Sequence, residues 1–213
     1  MPVGTGCPAD RDWAGLDHYS ESNRTVLAAK APVNIVFLGD GLTASWMSCR
    51  PDFFRAGRVA RGIAGQQTGQ MLLRMMADVV ALKPRFLHLL GGAQDLVSDP
   101  SPAGIERIVD NLRMMTQIAW ANHMTVMIGA VPPARGFPSR PDVDAAGAVR
   151  ALNEALRAQA LRTGAAWIDY WNALADADGG VRREFAGEGV EPNEAGYDAM
   201  IAAIEPALRA RRL

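Results

Sequence analysis

Short apolar segments alternate with amphipathic helical segments along most of this chain, and this alternation constrains the fold more than any other sequence feature. The strand-like runs lie at Val33–Leu38, Phe86–Leu90, Thr125–Gly129 and Ala166–Tyr170, with a shorter candidate around Val59. Each run is apolar over most of its length rather than alternating. This pattern is typical of strands that are buried on both faces of a parallel sheet.

Helical periodicity fills the intervals between these runs. Apolar residues recur at the i, i+3 and i+4 spacing of an amphipathic helix in three segments. They are Ile105, Ile108, Val109, Leu112 and Met115 in the first, Val149, Leu152 and Leu156 in the second, and Tyr197, Met200, Ile201, Ile204 and Leu208 in the third. Ser101 and Asn193 are the predicted N-caps of the first and third helices, and Gly164 is the predicted end of the second. The segment Met71–Leu82 is apolar on most sides and predicts a buried helix.

This alternation of strands and helices predicts an α/β fold, a three-layer α/β/α sandwich around a mostly parallel, five-stranded, doubly wound sheet. At ~100–200 residues per domain, the 213-residue chain is expected to form one globular domain. We assign residues 33–213 to this domain and residues 1–32 to an N-terminal helical extension. The apolar residues that indicate the extension are Trp13, Leu16, Tyr19 and Val26.

Charge and hydropathy exclude several classes of partner. The 22 Lys and Arg residues nearly balance the 23 Asp and Glu residues, so bulk electrostatics gives no reason to expect a nucleic-acid partner. No apolar run approaches the ~18–20 residues that a membrane span needs. The segment Met1–Asp10 lacks the basic and apolar regions of a signal peptide. We therefore expect a periplasmic or secreted protein if a signal was removed and a cytoplasmic protein otherwise, and the oligomeric state stays open.

The two cysteines, Cys7 and Cys49, are too few for a metal cluster or a disulfide framework. In an oxidising compartment they are candidates for one bridge between the N-terminal tail and the body of the domain. Such a bridge requires a Cα separation of no more than ~7 Å. Two unpaired thiols are the alternative.

Loops that follow the predicted strands hold most of the residues with chemical potential. Ligands of doubly wound sheets bind outside the carboxyl ends of the strands, which is where these loops lie. The blocks are Gly39–Thr43 (GDGLT), Gly62–Thr68 (GIAGQQT), Gly91–Leu96 (GGAQDL) and Gly187–Tyr197 (GEGVEPNEAGY). A further loop, Val131–Val143, contains four prolines and is a candidate wall or lid, with a passive surface loop as the alternative.

With these four blocks in this order and spacing, the chain resembles the SGNH/GDSL hydrolase family from about Val33 to its C-terminus. The resemblance implies a flavodoxin-like three-layer sandwich that hydrolyses acyl esters, often of lipids or acetylated sugars. In that family the nucleophile is the serine of Gly-Asp-Ser, assisted by His and Asp from a late Asp-x-x-His motif. The oxyanion hole uses a glycine of the second block, the Asn of Gly-x-Asn-Asp and the N–H of the nucleophile itself.

Four of these family positions are substituted in this chain. The nucleophile position holds Gly41, and the oxyanion Asn position holds Gln94. The Asp and His positions of the late motif hold Glu188 and Glu191. Glycine has no side chain that could attack a carbonyl, and a carboxylate cannot replace the imidazole as proton relay. The resemblance therefore implies that the Ser-His-Asp route is closed.

The remaining family positions are retained. The glycine of the second block is Gly65, and Asp40 and Asp95 are present in the first and third blocks. By resemblance, the candidates for substrate binding or for a former oxyanion hole are Gly41, Gly65, Gln94 and Asp95. No cofactor is expected.

Acidic residues are the remaining candidates for chemistry. Carboxylates that share one cleft cannot all ionise freely, so their pKa values separate, as acid/base hydrolysis requires. We interpret Glu191 as a base or anionic stabiliser, with Asp40 or Glu188 as the acid. Alternatively, Asp40 and Asp95 brace loops through backbone N–H groups and Glu188 caps the final helix. A site for Mg, Ca or Mn is a third possibility, although the spacing matches no dedicated metal motif.

The chain has other potential nucleophiles and bases, but they do not occupy the family's nucleophile or base position. Thr43 and Ser45 follow the strand-to-helix turn, and Thr43 is expected to cap or pack the helix. The three histidines, His18, His88 and His123, are interpreted as structural or surface residues. None of them is expected to replace the substituted base.

Two classes of function therefore compete. The first is a hydrolase that uses carboxylates in place of serine, most plausibly on a carbohydrate. The second is a catalytically inactive protein that binds a small ligand in the retained pocket. A weaker third is an acyl esterase with displaced catalytic residues. Carboxylates engaged in backbone hydrogen bonds favour the second class over the first.

Overall fold

The computed structural model describes residues 12–187 and 191–213, so Cys7 and Glu188 lie outside the described residues. The described residues form one five-stranded sheet in the order β2-β1-β3-β4-β5. Its strands are β1 (Ile35–Gly39), β2 (Arg58–Gly62), β3 (Phe86–Leu90), β4 (Thr125–Gly129) and β5 (Ala166–Ile168). All four neighbouring pairs are parallel, which confirms the predicted sheet.

Helices cover both faces of this sheet and complete the predicted three-layer sandwich. In chain order they are α1 (Ser20–Ala28), α2 (Gly41–Cys49), α3 (Thr68–Leu73), α4 (Met75–Asp78), α5 (Ala93–Ser98), α6 (Pro102–Ala121), α7 (Ala145–Thr163), α8 (Tyr170–Leu174) and α9 (Glu194–Ala210). Short 3-10 helices occupy Pro51–Phe54, Val80–Leu82 and Arg183–Phe185. Helix α2 packs on β1 and β2 and contacts α9, whereas α6 and α7 pack together against β4.

The strand order places the switch point between β1 and β3. The chain moves from β1 outward to β2 and then returns to the other side of β1 to form β3. The loops that leave β1 and β3 therefore diverge, and the crevice between them is where a doubly wound sheet binds its ligand.

The predicted helix boundaries rest on capping residues that the structure confirms. The Ser101 side chain accepts a hydrogen bond from Gly104 N at 3.2 Å, at the start of α6. The Asn193 side chain accepts one from Gly196 N at 3.0 Å, at the start of α9. Gly164 ends α7 in the left-handed region, with a φ of +69°.

The predicted single helix over Met71–Leu82 is wrong. The segment is divided into α3, α4 and a 3-10 turn, and two of its apolar side chains face solvent, Leu73 at 53% and Met76 at 61% exposure. Arg74, at the first junction, is fully buried. Its Nη2 donates to the carbonyls of Gly39 at 3.2 Å and Arg61 at 3.3 Å. The segment therefore follows the ends of β1 and β2 instead of one straight helix axis.

The last predicted strand is also shorter than expected. Strand β5 ends at Ile168, and Tyr170 begins α8. Asp169 between them accepts a hydrogen bond from Asn172 N at 3.0 Å, because its side chain caps the new helix. An aspartate after a strand is thus a helix cap here, not part of the strand.

A buried polar group, which we call the Arg74 cluster, consists of Asn23, Arg61, Gln66, Arg74 and Asp78. Arg74 Nη1 pairs with Asp78 Oδ2 at 2.7 Å, and Arg74 Nε donates to Gln66 Oε1 at 2.8 Å. Asn23 of α1 donates to Asp78 Oδ1 at 2.7 Å and accepts from Arg61 Nε at 2.8 Å. The cluster therefore ties α1 to β2 and to the segment that follows it.

The core histidine is His88, on β3. Its side chain is fully buried, and its Nε2 lies 3.0 Å from the Tyr170 hydroxyl. Burial lowers the pKa of His88 to about 3, so the ring is neutral at ordinary pH. Among the residues that the structure describes, no helix combines the length and the apolarity that a membrane crossing requires.

Candidate functional site

A small cleft lies at the carboxyl ends of β1 and β3, where the strand order reverses. Its cavity volume is about 70 Å³. The lining residues, which together we call the site cleft, are Asp40, Gly41, Leu42, Gly65, Ala93, Gln94, Val97 and Glu191. The fold thus brings together residues of all four sequence blocks. The proline-rich segment 131–143 contributes no lining residue to this cleft, and its Phe137 is buried in the core.

Position 41 is the first residue of α2 and faces the Glu191 side chain. A Cβ atom added to Gly41 would lie 2.9 Å from Glu191 Oε1 and 4.0 Å from Gly65 N. The Glu191 carboxylate therefore stands directly in front of the backbone of residue 41. A side chain at position 41 would require that carboxylate to move.

The Glu191 carboxylate is held by Ser45. Ser45 Oγ donates a hydrogen bond to Glu191 Oε2 at 2.5 Å. Ser45 follows Gly41 by four residues on α2, so both lie on the same face of the helix. Glu191 Oε1 has no hydrogen-bond partner among the described residues.

Helix α9 is fastened to α2, and this attachment places Glu191 beside Ser45. The Tyr197 hydroxyl donates to the Leu42 carbonyl at 3.1 Å. Arg50, which follows α2, pairs with Glu194 at 2.9 Å and with Asp198 at 2.6 Å. Since Glu194, Tyr197 and Asp198 all lie near the start of α9, these contacts hold the residues that precede this helix beside the site cleft.

Asp40 caps α2 and is almost completely buried, at 2% exposure. Its Oδ1 accepts a hydrogen bond from Leu42 N at 3.1 Å. Its Oδ2 is buried and has no hydrogen-bond partner among the described residues. Burial raises the pKa of Asp40 from 3.8 to about 7. The site cleft thus contains a carboxyl that holds its proton up to near-neutral pH.

Asp95 does not line the site cleft. Its carboxylate accepts hydrogen bonds from Thr68 N at 2.9 Å and from Thr68 Oγ1 at 2.6 Å. Burial raises the pKa of Asp95, and the bonds from Thr68 oppose that increase. Asn111 donates to the same threonine at 2.9 Å, so these residues brace the start of α3.

Gly65 and Gln94 form the wall opposite α2. Gly65 has a φ of +76°, a conformation that favours glycine, and a Cβ at this position would meet nothing within 4 Å. The next residue, Gln66, donates to the Ala14 carbonyl at 2.8 Å and accepts from Arg74. The Arg74 cluster and the N-terminal extension therefore hold the loop that carries Gly65.

The charge of the site cleft is one-sided. Its ionisable lining groups are Asp40 and Glu191, and no Lys, Arg or His side chain of the described residues lines it. Across residues 12–187 and 191–213, no group of three or more His, Cys, Asp or Glu side chains is arranged to hold a metal ion.

Sequence reasoning located the cleft but missed Ser45 as a partner of Glu191. The structure brings Asp40, Gly41, Gly65, Gln94 and Glu191 together, turns Asp95 toward Thr68, and leaves Glu188 outside the described residues. The available signal was the spacing of four residues between Gly41 and Ser45. This spacing places the Ser45 hydroxyl one helical turn after Gly41, the family's nucleophile position.

Comparison with known proteins defines the class to which this fold and cleft belong. The profile of the GDSL-like Lipase/Acylhydrolase family matches residues 37–199. The chain belongs to this family, and the resemblance seen in the sequence is confirmed. A comparison with curated proteins finds no match.

Solved structures from several bacteria share the architecture. A provisionally named acylhydrolase from Bacteroides fragilis is 28% identical, with a TM-score of 0.87, 95% of this chain covered and 99% of the other. A GDSL-like lipase from Bacteroides thetaiotaomicron is 29% identical, with a TM-score of 0.84 and coverages of 93% and 98%. A lipase/acylhydrolase from Enterococcus faecalis is 19% identical, with a TM-score of 0.67 and coverages of 84% and 96%, and shows the fold alone.

Proposed function

We propose that this member of the hydrolase family binds a small neutral or cationic ligand in the site cleft and does not turn over acyl esters through a serine. One observation carries the proposal. The Glu191 carboxylate, held by Ser45, stands 2.9 Å from the place of a Cβ at residue 41. A family nucleophile would extend from that same place.

The chemistry of serine hydrolysis lacks its reacting groups at these positions. Gly41 offers no hydroxyl, and Glu191 stands where the family has its imidazole base. A carboxylate beside Ser45 holds that hydroxyl in a hydrogen bond but supplies no imidazole to protonate a leaving group. The other acidic candidates have structural partners, Leu42 N for Asp40 and Thr68 for Asp95.

The charge of the cleft favours certain ligands over others. A carboxylate or phosphate would enter against Glu191 without a basic residue to stabilise it. In a partly buried site, two like charges that are about 4 Å apart repel each other by about 4 kcal/mol. A hydroxyl or ammonium group can instead donate to Glu191 Oε1, which has no partner among the described residues.

The size of the cleft limits what enters it. Its volume of about 70 Å³ is far below the ~300–1,000 Å³ of pockets that enclose a drug-sized ligand. Only one end of a ligand therefore fits between α2 and the Gln94 wall. A terminal hydroxyl of a sugar or a primary ammonium has the required size and hydrogen-bonding capacity.

A reactivity experiment tests the absence of serine chemistry. A fluorophosphonate probe should leave the wild-type chain unlabelled, and p-nitrophenyl acetate should not give an acyl-enzyme. The double variant Gly41→Ser, Glu191→His supplies a nucleophile and an imidazole, and we expect it to become labelled. Stoichiometric labelling of the wild type at Ser45 or Thr43, located by mass spectrometry, would contradict the proposal.

A binding experiment tests the charge preference. Propylammonium, propanol and propionate have similar sizes but differ in charge, so their binding can be compared by NMR titration. We expect propylammonium and propanol to shift resonances of Gly65 and Gln94, and propionate to shift none. Glu191→Gln should abolish the preference for ammonium over carboxylate. Glu106→Gln, an exposed acidic residue on α6, is the matched control.

A second candidate function, carboxylate-based hydrolysis of a carbohydrate, is favoured by one specific observation. Asp40 and Glu191 line the same cleft, and burial raises the pKa of Asp40 to about 7. A carboxyl that keeps its proton beside a second carboxylate is the arrangement of an acid/base pair. If a sugar substrate is turned over, Glu191→Gln should slow the reaction by ~10²–10⁴ while the melting temperature stays unchanged. Unchanged turnover in the folded variant would exclude this function.

A further inference from the structure

We infer that a second cleft, between α7 and α8 at the outer edge of β5, binds the ring of a neutral sugar. This cleft has a volume of about 130 Å³ and is separate from the site cleft, with which it shares no lining residue. We call it the tryptophan cleft. Its lining includes Arg150, Glu154, Arg157, Trp167, Asp169 and Trp171.

One wall of the tryptophan cleft is a polar stripe on α7. Arg150, Asn153, Glu154 and Arg157 follow the i, i+3, i+4, i+7 spacing and therefore lie on one face of the helix. Asn153 fixes this face to the end of β4, because its side chain accepts from Val131 N at 2.8 Å and donates to Val131 O at 2.9 Å. The stripe thus has a rigid position relative to the sheet.

The other wall is aromatic. Trp167 lies on β5 and Trp171 on α8, and both are partly buried and packed against the hydrophobic core. Indole rings that line a cleft are suited to stacking against an apolar ring face. The carbon-bound hydrogens of a pyranose form such a face.

Polar groups around the indoles are available to hydroxyls. Glu154 and Arg157 have neither a hydrogen bond nor an ion pair with any described residue. The Arg150 guanidinium lies 6.0 Å from the centre of the Trp171 ring, at the same opening. The cleft therefore offers both donors and an acceptor beside its aromatic wall, and a hydroxyl requires both kinds of partner.

Charge balance selects a neutral ring over an anion. Arg150 and Arg157 are offset by Glu154 and Asp169 within the same lining. Both oxygens of Asp169 are already engaged by Asn172, at 3.0 and 2.6 Å. Since the four charges sum to zero, neither a carboxylate nor a cation gains a net attraction. The volume suits one ring, with the rest of an oligosaccharide outside the cleft.

The test is a titration of the wild-type chain with neutral trisaccharides, followed by tryptophan fluorescence and isothermal calorimetry. Cellotriose, xylotriose, maltotriose and mannotriose cover the common ring configurations. We expect at least one of them to bind with a Kd near ~1 mM or tighter. Trp171→Ala and Arg157→Ala should each weaken that binding by at least about tenfold.

Matched controls separate this cleft from other surfaces. Trp120→Ala removes an indole of α6 that is 42% exposed and lies outside the cleft. It should bind the trisaccharide as the wild type does. If Trp171→Ala does not fold, Arg157→Ala and Glu154→Gln change only exposed side chains of α7 and give the same information.

Three results would overturn the assignment. The first is the absence of binding by all four trisaccharides. The second is binding that persists at full strength in Arg157→Ala and Glu154→Gln. The third is binding that is lost in Glu191→Gln alone. The last result would place the sugar in the site cleft. The reactivity of the chain toward fluorophosphonates has no bearing on any of the three.

Discussion

Two groups of charged side chains, the Arg74 cluster and the site cleft, lie close to the carboxyl end of β1, and they differ in how completely their polar atoms are paired. In the Arg74 cluster both Asp78 oxygens have partners and Arg74 donates to four acceptors, while Arg61 Nη2 is buried without a partner among the described residues. In the site cleft, Asp40 Oδ2 and Glu191 Oε1 have no partner among the described residues. Folded proteins satisfy most buried polar groups, and in the proposed function the unpaired Glu191 Oε1 is the atom that accepts from the ligand.

The Arg74 cluster also supports the site cleft. Arg74 donates to the carbonyls of Gly39 and Arg61 and to the side chain of Gln66. Gly39 immediately precedes Asp40, and Gln66 immediately follows Gly65. Arg74 therefore anchors the residues that flank Asp40 and Gly65, two residues of the site cleft.

The largest effect is expected from breaking the buried ion pair between Arg74 and Asp78. Arg74→Met leaves the Asp78 side chain buried without its cationic partner, and both side chains are fully buried in the wild type. We expect the free energy of unfolding to fall by ~3–5 kcal/mol in a urea titration. Arg107→Met, which breaks the exposed ion pair with Asp99, should cost no more than ~1 kcal/mol.

The double variant Arg74→Met, Asp78→Leu sharpens this prediction. It removes both charges, so it should recover part of the stability that Arg74→Met loses. Equal stability losses in Arg74→Met and Arg107→Met would show that the buried cluster is no more critical than a surface pair.

A smaller and pH-dependent effect is expected in the site cleft. The folded-state pKa of Asp40 is raised to about 7 from 3.8, so the folded chain binds this proton more tightly than the unfolded chain. The resulting stabilisation is fully present below pH ~4 and is lost as the pH rises through about 7. Asp40→Asn removes the titration and keeps an oxygen that can accept from Leu42 N. At about pH 8 we expect this variant to be more stable than the wild type by on the order of 2–4 kcal/mol.

The measurement is chemical denaturation of both proteins between about pH 4 and 8. The advantage of Asp40→Asn should shrink as the pH falls, because the wild-type carboxyl then carries its proton in the folded state. Asp110→Asn, which removes an exposed carboxylate of α6, is the control and should show no such trend. If the unfolding free energies of the wild type and Asp40→Asn change in parallel with pH, the expected titration of Asp40 is contradicted.

The smallest effect is expected from the contact that holds Glu191. Ser45→Ala removes the hydroxyl that donates to Glu191 Oε2. Because the bond is partly exposed, we expect a loss of only ~1 kcal/mol in unfolding free energy. The preference of the cleft for propylammonium over propionate should persist but weaken, since the carboxylate stays while its position becomes less defined.

Ser48→Ala is the matched control for this variant. Ser48 lies on the same helix, and its exposed hydroxyl donates only to the Ala44 carbonyl. It should leave both stability and ligand preference within error of the wild type. If Ser45→Ala and Ser48→Ala behave alike in the ligand titration, Ser45 does not position Glu191.

The amino-acid sequence alone predicts the five strands, the long helices α6, α7 and α9, and the place of the site cleft. The apolar runs, the caps at Ser101 and Asn193 and the stop at Gly164 are local signals, since period and capping depend on neighbouring residues. The alternation of strands and helices then fixed a parallel sheet, and the four blocks identified the family. The glycine at position 41 and the glutamate at position 191 can also be read directly from the blocks.

The partners that polar side chains find at a distance along the chain are visible only in the tertiary structure. Ser45 meets Glu191 across 146 residues of sequence, and Asp95 turns to Thr68 across 27. The break at Arg74 and the indoles of the tryptophan cleft are likewise products of packing. Hydrogen bonds and burial depend on distances through space that no local pattern encodes, so the same carboxylate can be a brace or a ligand site until its neighbours are known.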